Sequence, residues 1–356
     1  MDAIVEAMKA LLEDDDVSEI LVDGAKSVYV ERNGALQDTE IRFAHDKQVI
    51  EWANSLLVGQ GWEPVGAGRP WATARLASGD RIAVVIPPVA VDGPSVTIRK
   101  FPRVPLTFDQ LLEWGCLSEQ VLGFFRVAMQ VQLSILVSGG TSSGKTTLTN
   151  LLLGLIPAQD RLIAVERRHE LRIDHPRVVY LEAEAGRASG MEPIDLRELL
   201  HVATCMRPDR IAIGELQGPE ALDMLELANL GHEGLIAPIH ARSPRDALTR
   251  VETMATIAEP TLTLPAVRAK MASGLDLIVQ QNQVEDGTRK IVSVVEVQGL
   301  KGDSIVLTEL FSWQRTGMGE DGRCLGRFVA TGAAPSFAHA LEAAGVYFPE
   351  GTFESR

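Results

Sequence analysis

Residues 139–146 read Gly-Gly-Thr-Ser-Ser-Gly-Lys-Thr: a glycine, four residues, then Gly-Lys-Thr. This spacing suits a phosphate. Gly139, Gly140 and Gly144 let the backbone curl until its N–H groups face one anion. Lys145 brings a cation to the β- and γ-phosphates, and the Thr146 hydroxyl is a ligand for Mg²⁺. The flanks agree with the motif. "QLSILV" before it is an apolar run of strand length, and "TLTNLLLGLI" after it places Leu148, Leu151, Leu152 and Leu155 at helical spacing. A helix starting there adds its positive end to the loop. A glycine-rich turn without a ligand is the competing explanation, and the strand and helix on either side argue against it. The sequence therefore predicts a nucleoside triphosphate held by Gly139, Gly140, Thr141, Ser142, Ser143, Gly144, Lys145, Thr146 and Thr147.

In an open parallel sheet, ligands lie beyond the carboxyl ends of the strands. Three further apolar runs end in residues able to do chemistry: "LIAVE" at Glu166, "RIAIGE" at Glu215 and "GLIAPIH" at His240. Glu215 is the candidate to orient or activate an attacking water, since a hydrolase needs a proton acceptor beside the γ-phosphate. Glu166 is the candidate to hold Mg²⁺ through water, because Mg²⁺ keeps several waters and few carboxylates. Its alternative is an ion pair with Arg167 or Arg168. His240 is a candidate γ-phosphate sensor, the alternative being a packing residue at a strand end. His232, in "NLGHEG", is a weaker candidate of the same kind.

The elements that must position these groups fall into two regions. Residues 1–100 show a short amphipathic helix over 3–12, strands at "SEILVDG" and "SVYVERNGAL", and a helix at "DKQVIEWANSLLVGQG". Further strands follow at "WATARLASGDRIAVVIPP" and "PSVTIRKF", with turns at Asn33-Gly34 and Gly79-Asp80. This reads as a small α+β domain. "FPRVPLTF", 101–108, carries Pro102 and Pro105 and reads as a linker. Residues 109–356 alternate helix and strand, which predicts a parallel α/β sheet. Residues near 277–313 read as an antiparallel extension turning at Asp286-Gly287.

The net charge of −14 and sequence pI near 5.0 argue against a general nucleic-acid grip. Cys116, Cys205 and Cys324 form no C-x-x-C pair, which fits a reducing compartment and no zinc knuckle. The opening residues lack a signal-peptide pattern. The ten-residue run "IAVVIPPVAV" contains Pro87-Pro88 and falls short of the ~20 residues of a membrane span.

Taken in order, "SGGTSSGKTT", "AVERRHEL", "MRPDRIAIGELQGPEALDML" and "GHEGLIAPIHARSPRDALTRVETM" resemble the Walker A, Asp, Walker B and His boxes of the secretion traffic ATPases of type II and type IV secretion and type IV pili. The flanking "GDRIAVVIPPVAVDGPSVTIRKFPRVPLTFDQLLEWG" and the tail through "GRFVATGAAPSF" are similar to the Flp/Tad pilus assembly (CpaF-like) branch. The resemblance covers roughly residues 17–346. It implies a RecA-like P-loop C-terminal domain behind a small N-terminal domain, and a homohexameric ring that hydrolyses ATP with Mg²⁺. The ring would lie at the cytoplasmic face of the inner membrane, peripheral to it, with a membrane platform protein as partner and no nucleic acid. It implies that Arg81 and Arg99, with Arg103 as a lesser candidate, reach the nucleotide from the N-terminal domain, and that Arg207 lies near it. The family's usual acid at 167 is Arg here, and its usual Arg at 217 is Gln. His201 and Cys205 stand at usually basic positions, Leu230 replaces a Thr and Pro238 a small polar residue. The alternatives are a type IV secretion (conjugation-type) ATPase, and a nucleotide-gated paralogue with weak hydrolysis, which Arg167 and Gln217 favour.

Overall fold

The computed structural model describes residues 2–32, 35–100, 106–183, 194–319 and 322–354. The chain divides into two units, Met1–Pro105 and Leu106–Arg356.

In the first unit, α1 (Asp2–Glu13) and α2 (Asp46–Val58) accompany six strands: β1 (Val17–Asp23), β2 (Ser27–Arg32), β3 (Ala35–Asp38), β4 (Trp71–Arg75), β5 (Arg81–Val85) and β6 (Ser95–Arg99). The sheet runs β3-β2-β1-β6-β5-β4 and every pairing in it is antiparallel. Side chains alternate across a sheet, so Ile20, Val22, Val28, Val30, Ile82, Val84, Val96 and Ile98 share one face. That face is buried with Met8, Val49, Trp52 and Leu57 from the helices. The turn expected at Asn33-Gly34 and the expected linker residues 101–105, Arg103 among them, lie outside the described residues. The rest of that expected linker belongs to the second unit, because Thr107 and Gln110 form a capping box that starts the next helix at Phe108.

The second unit contains α3 (Phe108–Glu113), α4 (Glu119–Gln130), β7 (Ile135–Gly139), α5 (Lys145–Leu153), β8 (Leu162–Glu166), β9 (Val178–Glu182), α6 (Leu196–Cys205) and β10 (Arg210–Ile213). It continues with α7 (Glu220–Asn229), β11 (Ile236–His240), α8 (Pro244–Ala258), α9 (Leu264–Gly274), β12 (Leu277–Gln283), β13 (Arg289–Lys301), β14 (Ser304–Met318), β15 (Cys324–Ala330) and α10 (Ala338–Ala343). One sheet runs β15-β14-β13-β12-β7-β11-β10-β8-β9. It is parallel from β12 to β9 and antiparallel from β12 to β15. Its centre is covered on both faces. Ile135 and Val137 of β7 pack with Phe124, Phe125, Leu148 and Leu152. Leu136, between them, packs on the other face with Leu222, Leu225, Val251 and Met271. The antiparallel extension exceeds the expected 277–313. It reaches Ala330, and β12 itself is a parallel neighbour of β7.

Two sequence oddities are resolved by this topology. Pro238 sits inside β11, where a missing donor should cost a ladder bond. Its carbonyl accepts from Leu216 N at 2.9 Å, and a strand residue points its nitrogen to the same side as its carbonyl. On that side β10 has already ended at Ile213, with regular pairing only at Ala212–Ile236, so no continuous ladder is broken. Arg210 opens β10 and is 1% exposed, paired to Asp160 at 3.0 Å and donating to the Met129 carbonyl at 2.8 Å. Gly234 makes room for it: a Cβ there would lie 2.3 Å from Nη1.

Candidate active site

The loop between β7 and α5 has the shape its composition predicts. Gly144 caps α5 with φ +92°, in the left-handed region, and no side chain accepts from the helix's first N–H groups. An anion is the kind of partner that such groups and the helix dipole favour. Ser143, 1% exposed, turns its hydroxyl inward to donate to the Gly140 carbonyl at 2.9 Å. Thr141 and Ser142 are exposed, and Thr146 and Thr147 are half-buried on the first turn of α5.

Lys145 is buried to 7% exposure. Its ammonium donates to the Gly140 carbonyl at 2.8 Å and meets His240 Nδ1 at 3.2 Å. Burial pushes the Lys145 amine below its ordinary value, partly offset by the charge of Glu215. On the other side of the imidazole, His240 Nε2 lies 2.9 Å from Glu215 Oε1. An ammonium has only donors and a carboxylate only acceptors, so this arrangement selects the neutral tautomer with the proton on Nε2. Gln217 Nε2 donates to the remaining oxygen, Glu215 Oε2. Lys145, His240, Glu215 and Gln217 thus form one hydrogen-bonded chain at the carboxyl ends of β7, β11 and β10.

Glu166, at the end of β8, is brought to the same edge but is committed differently. It is 1% exposed; Oε1 accepts from the Glu170 and Leu171 amides at 2.7 and 2.8 Å, and Oε2 meets His169 Nδ1 at 2.7 Å. The carboxylate that the sequence offers to Mg²⁺ here holds the turn after its own strand. Gly214 permits this, since a Cβ would stand 2.8 Å from Glu166 Cγ. Among the described residues, no group of three or more His, Cys, Asp or Glu side chains is placed to hold a metal.

Two of the departures from the family pattern, Arg167 and Gln217, meet at a residue that sequence reasoning missed. Glu220, 1% exposed at the start of α7, accepts from the Gln217 and Gly218 amides at 2.7 and 2.9 Å, while Arg167 approaches its other oxygen at 3.9 Å. Glu220 therefore shapes the turn that carries Glu215 and Gln217. Its only sequence signal is an acidic residue five places beyond Glu215.

Arg207 and His232 are not brought to this edge. Arg207, exposed and at φ +55°, precedes β10, and His232 precedes β11. Both lie at the amino ends of strands whose carboxyl ends carry the site. Arg81 and Arg99 belong to the first unit and are paired across β5 and β6. Arg75 stands opposite Arg81 on β4, and Glu19 lies 3.8 Å from Arg99. Arg75 extends the pair to a row of three arginines, which the cross-strand register reveals and sequence spacing does not.

Fold and site together define a RecA-like P-loop nucleotide-binding domain behind a small α+β domain. The chain belongs to the family described as type II/IV secretion system protein, which it matches over residues 3–319. A Mycobacterium tuberculosis protein named for conjugal transfer is 28% identical over 301 residues, covering 83% of this chain and 85% of that one. The type IV secretion system protein PtlH homologue of Bordetella bronchiseptica is 33% identical over 261 residues, covering 65% and 76%. The X-ray structure of the Legionella pneumophila ATPase DotB shares the fold, with a TM-score of 0.57 at 19% identity over 82% of this chain and 78% of that one.

Proposed function

We propose that this protein binds ATP with Mg²⁺ at residues 139–147 and hydrolyses it. As a homohexamer it would power Tad/Flp-type pilus assembly or protein secretion, at the cytoplasmic face of the inner membrane and against a membrane platform protein. The observation that supports this best is the Lys145–His240–Glu215 chain, which sets a cation and a proton acceptor on either side of one imidazole. Lys145 exchanges the Gly140 carbonyl for phosphate oxygens when ATP enters. His240 and Gln217 each hold one oxygen of Glu215, so the carboxylate faces the attacking water in a fixed orientation and accepts its proton. Thr146 would be the protein ligand of a bound Mg²⁺, which would supply charge neutralisation to the phosphates, while Glu166 stays committed to the turn after its strand.

The names of the relatives support a second reading, in which the same motor chemistry serves type IV, conjugation-type secretion. Gln217, where the family usually carries Arg, supports the slower variant in which nucleotide gates shape with little hydrolysis.

Phosphate release from ATP and Mg²⁺ tests the proposal. Lys145→Ala should abolish tight ATP binding. Glu215→Gln should bind ATP within a few-fold of wild type and lose roughly 10²-fold or more in turnover. Unchanged binding in the first variant, or unchanged turnover in the second, would remove the assigned roles.

A further inference from the structure

Ser142 sits at φ +60°, in the left-handed region where a side chain is strained and glycine is not. Its carbonyl oxygen accepts a hydrogen bond from Arg289 Nε at 2.9 Å. Arg289 opens β13, across the hairpin from β12. The same arm passes Gly144, where a Cβ would lie 3.0 Å from Arg289 Cδ and 3.1 Å from Gln281 Nε2. At Gly139 a Cβ would lie 2.3 Å from the Gln281 carbonyl oxygen. Two of the motif's glycines are therefore needed for the close approach of this hairpin, beyond any need for curl in the loop.

The hairpin is itself tied outward. Asp286 accepts from the Thr288 amide and hydroxyl at 2.9 and 2.7 Å, and from the Cys324 amide of β15 at 2.6 Å. Glu285 takes both outer nitrogens of Arg315 on β14, each at 2.8 Å. The arginine that reaches the loop is thus mounted on a braced support.

We propose that Arg289 is a positioning residue for nucleotide binding: by holding the Ser142 carbonyl it keeps Ser142 left-handed, and so keeps the loop's amides aimed at one anion. This rests on the reading that residues 139–147 bind ATP. Without Arg289, Ser142 gains by returning to negative φ, which swings the adjoining peptides away from the phosphate. A glycine at this position would take up the left-handed conformation without steric cost.

A double-mutant cycle reads this directly. Affinity for a fluorescent ATP analogue with Mg²⁺ is measured for wild type, Arg289→Ala, Ser142→Gly and the double variant. Arg289→Ala should weaken binding about tenfold with Ser142 present and less than about twofold in the Ser142→Gly background. In steady state, KM for ATP should rise with kcat little changed. Wild-type affinity in Arg289→Ala, or an equal loss in both backgrounds, overturns the proposal. If Arg289→Ala does not fold, Arg289→Lys keeps the stem and charge but lacks the flat Nε–H, and passes through the same cycle under the same criteria. Lys145→Ala in the same assay separates the two readings. If it binds like wild type, the nucleotide assignment falls and this inference with it. If it loses binding while Arg289→Ala does not, only the role of Arg289 falls.

Discussion

His240 stands between the site's cation and its carboxylate, and its chemistry follows from that place. With Nδ1 facing the Lys145 ammonium and Nε2 facing Glu215, the imidazole is neutral and fixed in one tautomer. It transmits the position of one group to the other without carrying charge. Hydrogen bonds to charged groups are worth about 1.5–3 kcal/mol, so His240→Ala should lower turnover roughly 10–100-fold. ATP binding should weaken less, because Lys145 keeps its loop. Single-turnover hydrolysis at saturating ATP separates the two effects. A His240→Ala protein with wild-type single-turnover rate would show that Glu215 needs no such tether.

At the scale of elements, the β12–β13 hairpin makes its own pH prediction. The Thr288 hydroxyl beside Asp286, with the Cys324 and Thr288 amides, holds that carboxyl at about 2, below its ordinary 3.8. A depressed folded-state value means that the charged form stabilises the hairpin. The contribution is fully present above pH 3.8 and is lost as pH falls toward about 2. The protection of the 284–288 amides, taken relative to their intrinsic exchange rates, should therefore fall across that window in wild type. In Asp286→Asn the protection should be lower at neutral pH and flat through the window. A wild-type-like acid profile in Asp286→Asn would assign the acid sensitivity to another group. The same hairpin marks what sequence can and cannot disclose. The loop 139–146, Glu215 and His240 were legible because each terminates an apolar run, and strand ends in a parallel sheet share an edge. Arg289 and Glu220 were not, because their roles depend on register and on a turn that no periodicity encodes. Arg207 and His232 show the complementary limit of sequence reading. They neighbour the right boxes in sequence, but they precede their strands and so fall at the opposite edge. The true extent of the antiparallel strands was hidden by exposed β14 and β15 residues, which leave "GRCLGRFVA" without clear alternation.

For the molecule as a whole, the charge and the sheet carry different messages. A net charge of −14 acts against association with a polyanion at long range. Among the described residues no helix is long and apolar enough to cross a membrane. The transition state for phosphoryl transfer spreads negative charge over oxygens that Lys145 alone neutralises poorly, and arginines supplied from elsewhere commonly raise turnover by 10³-fold or more. Arg81 and Arg99 are the arginines that the family resemblance offers for this purpose. If assembly is what brings them to a nucleotide, turnover per chain should rise with protein concentration and fall on dilution, while ATP binding through Lys145 persists at both extremes. Arg81→Ala and Arg99→Ala should then depress the plateau reached at high concentration without lowering the melting temperature. Turnover per chain that is constant from dilute to concentrated solution, with both arginine variants at wild-type rate, would instead mean that each chain completes its own site.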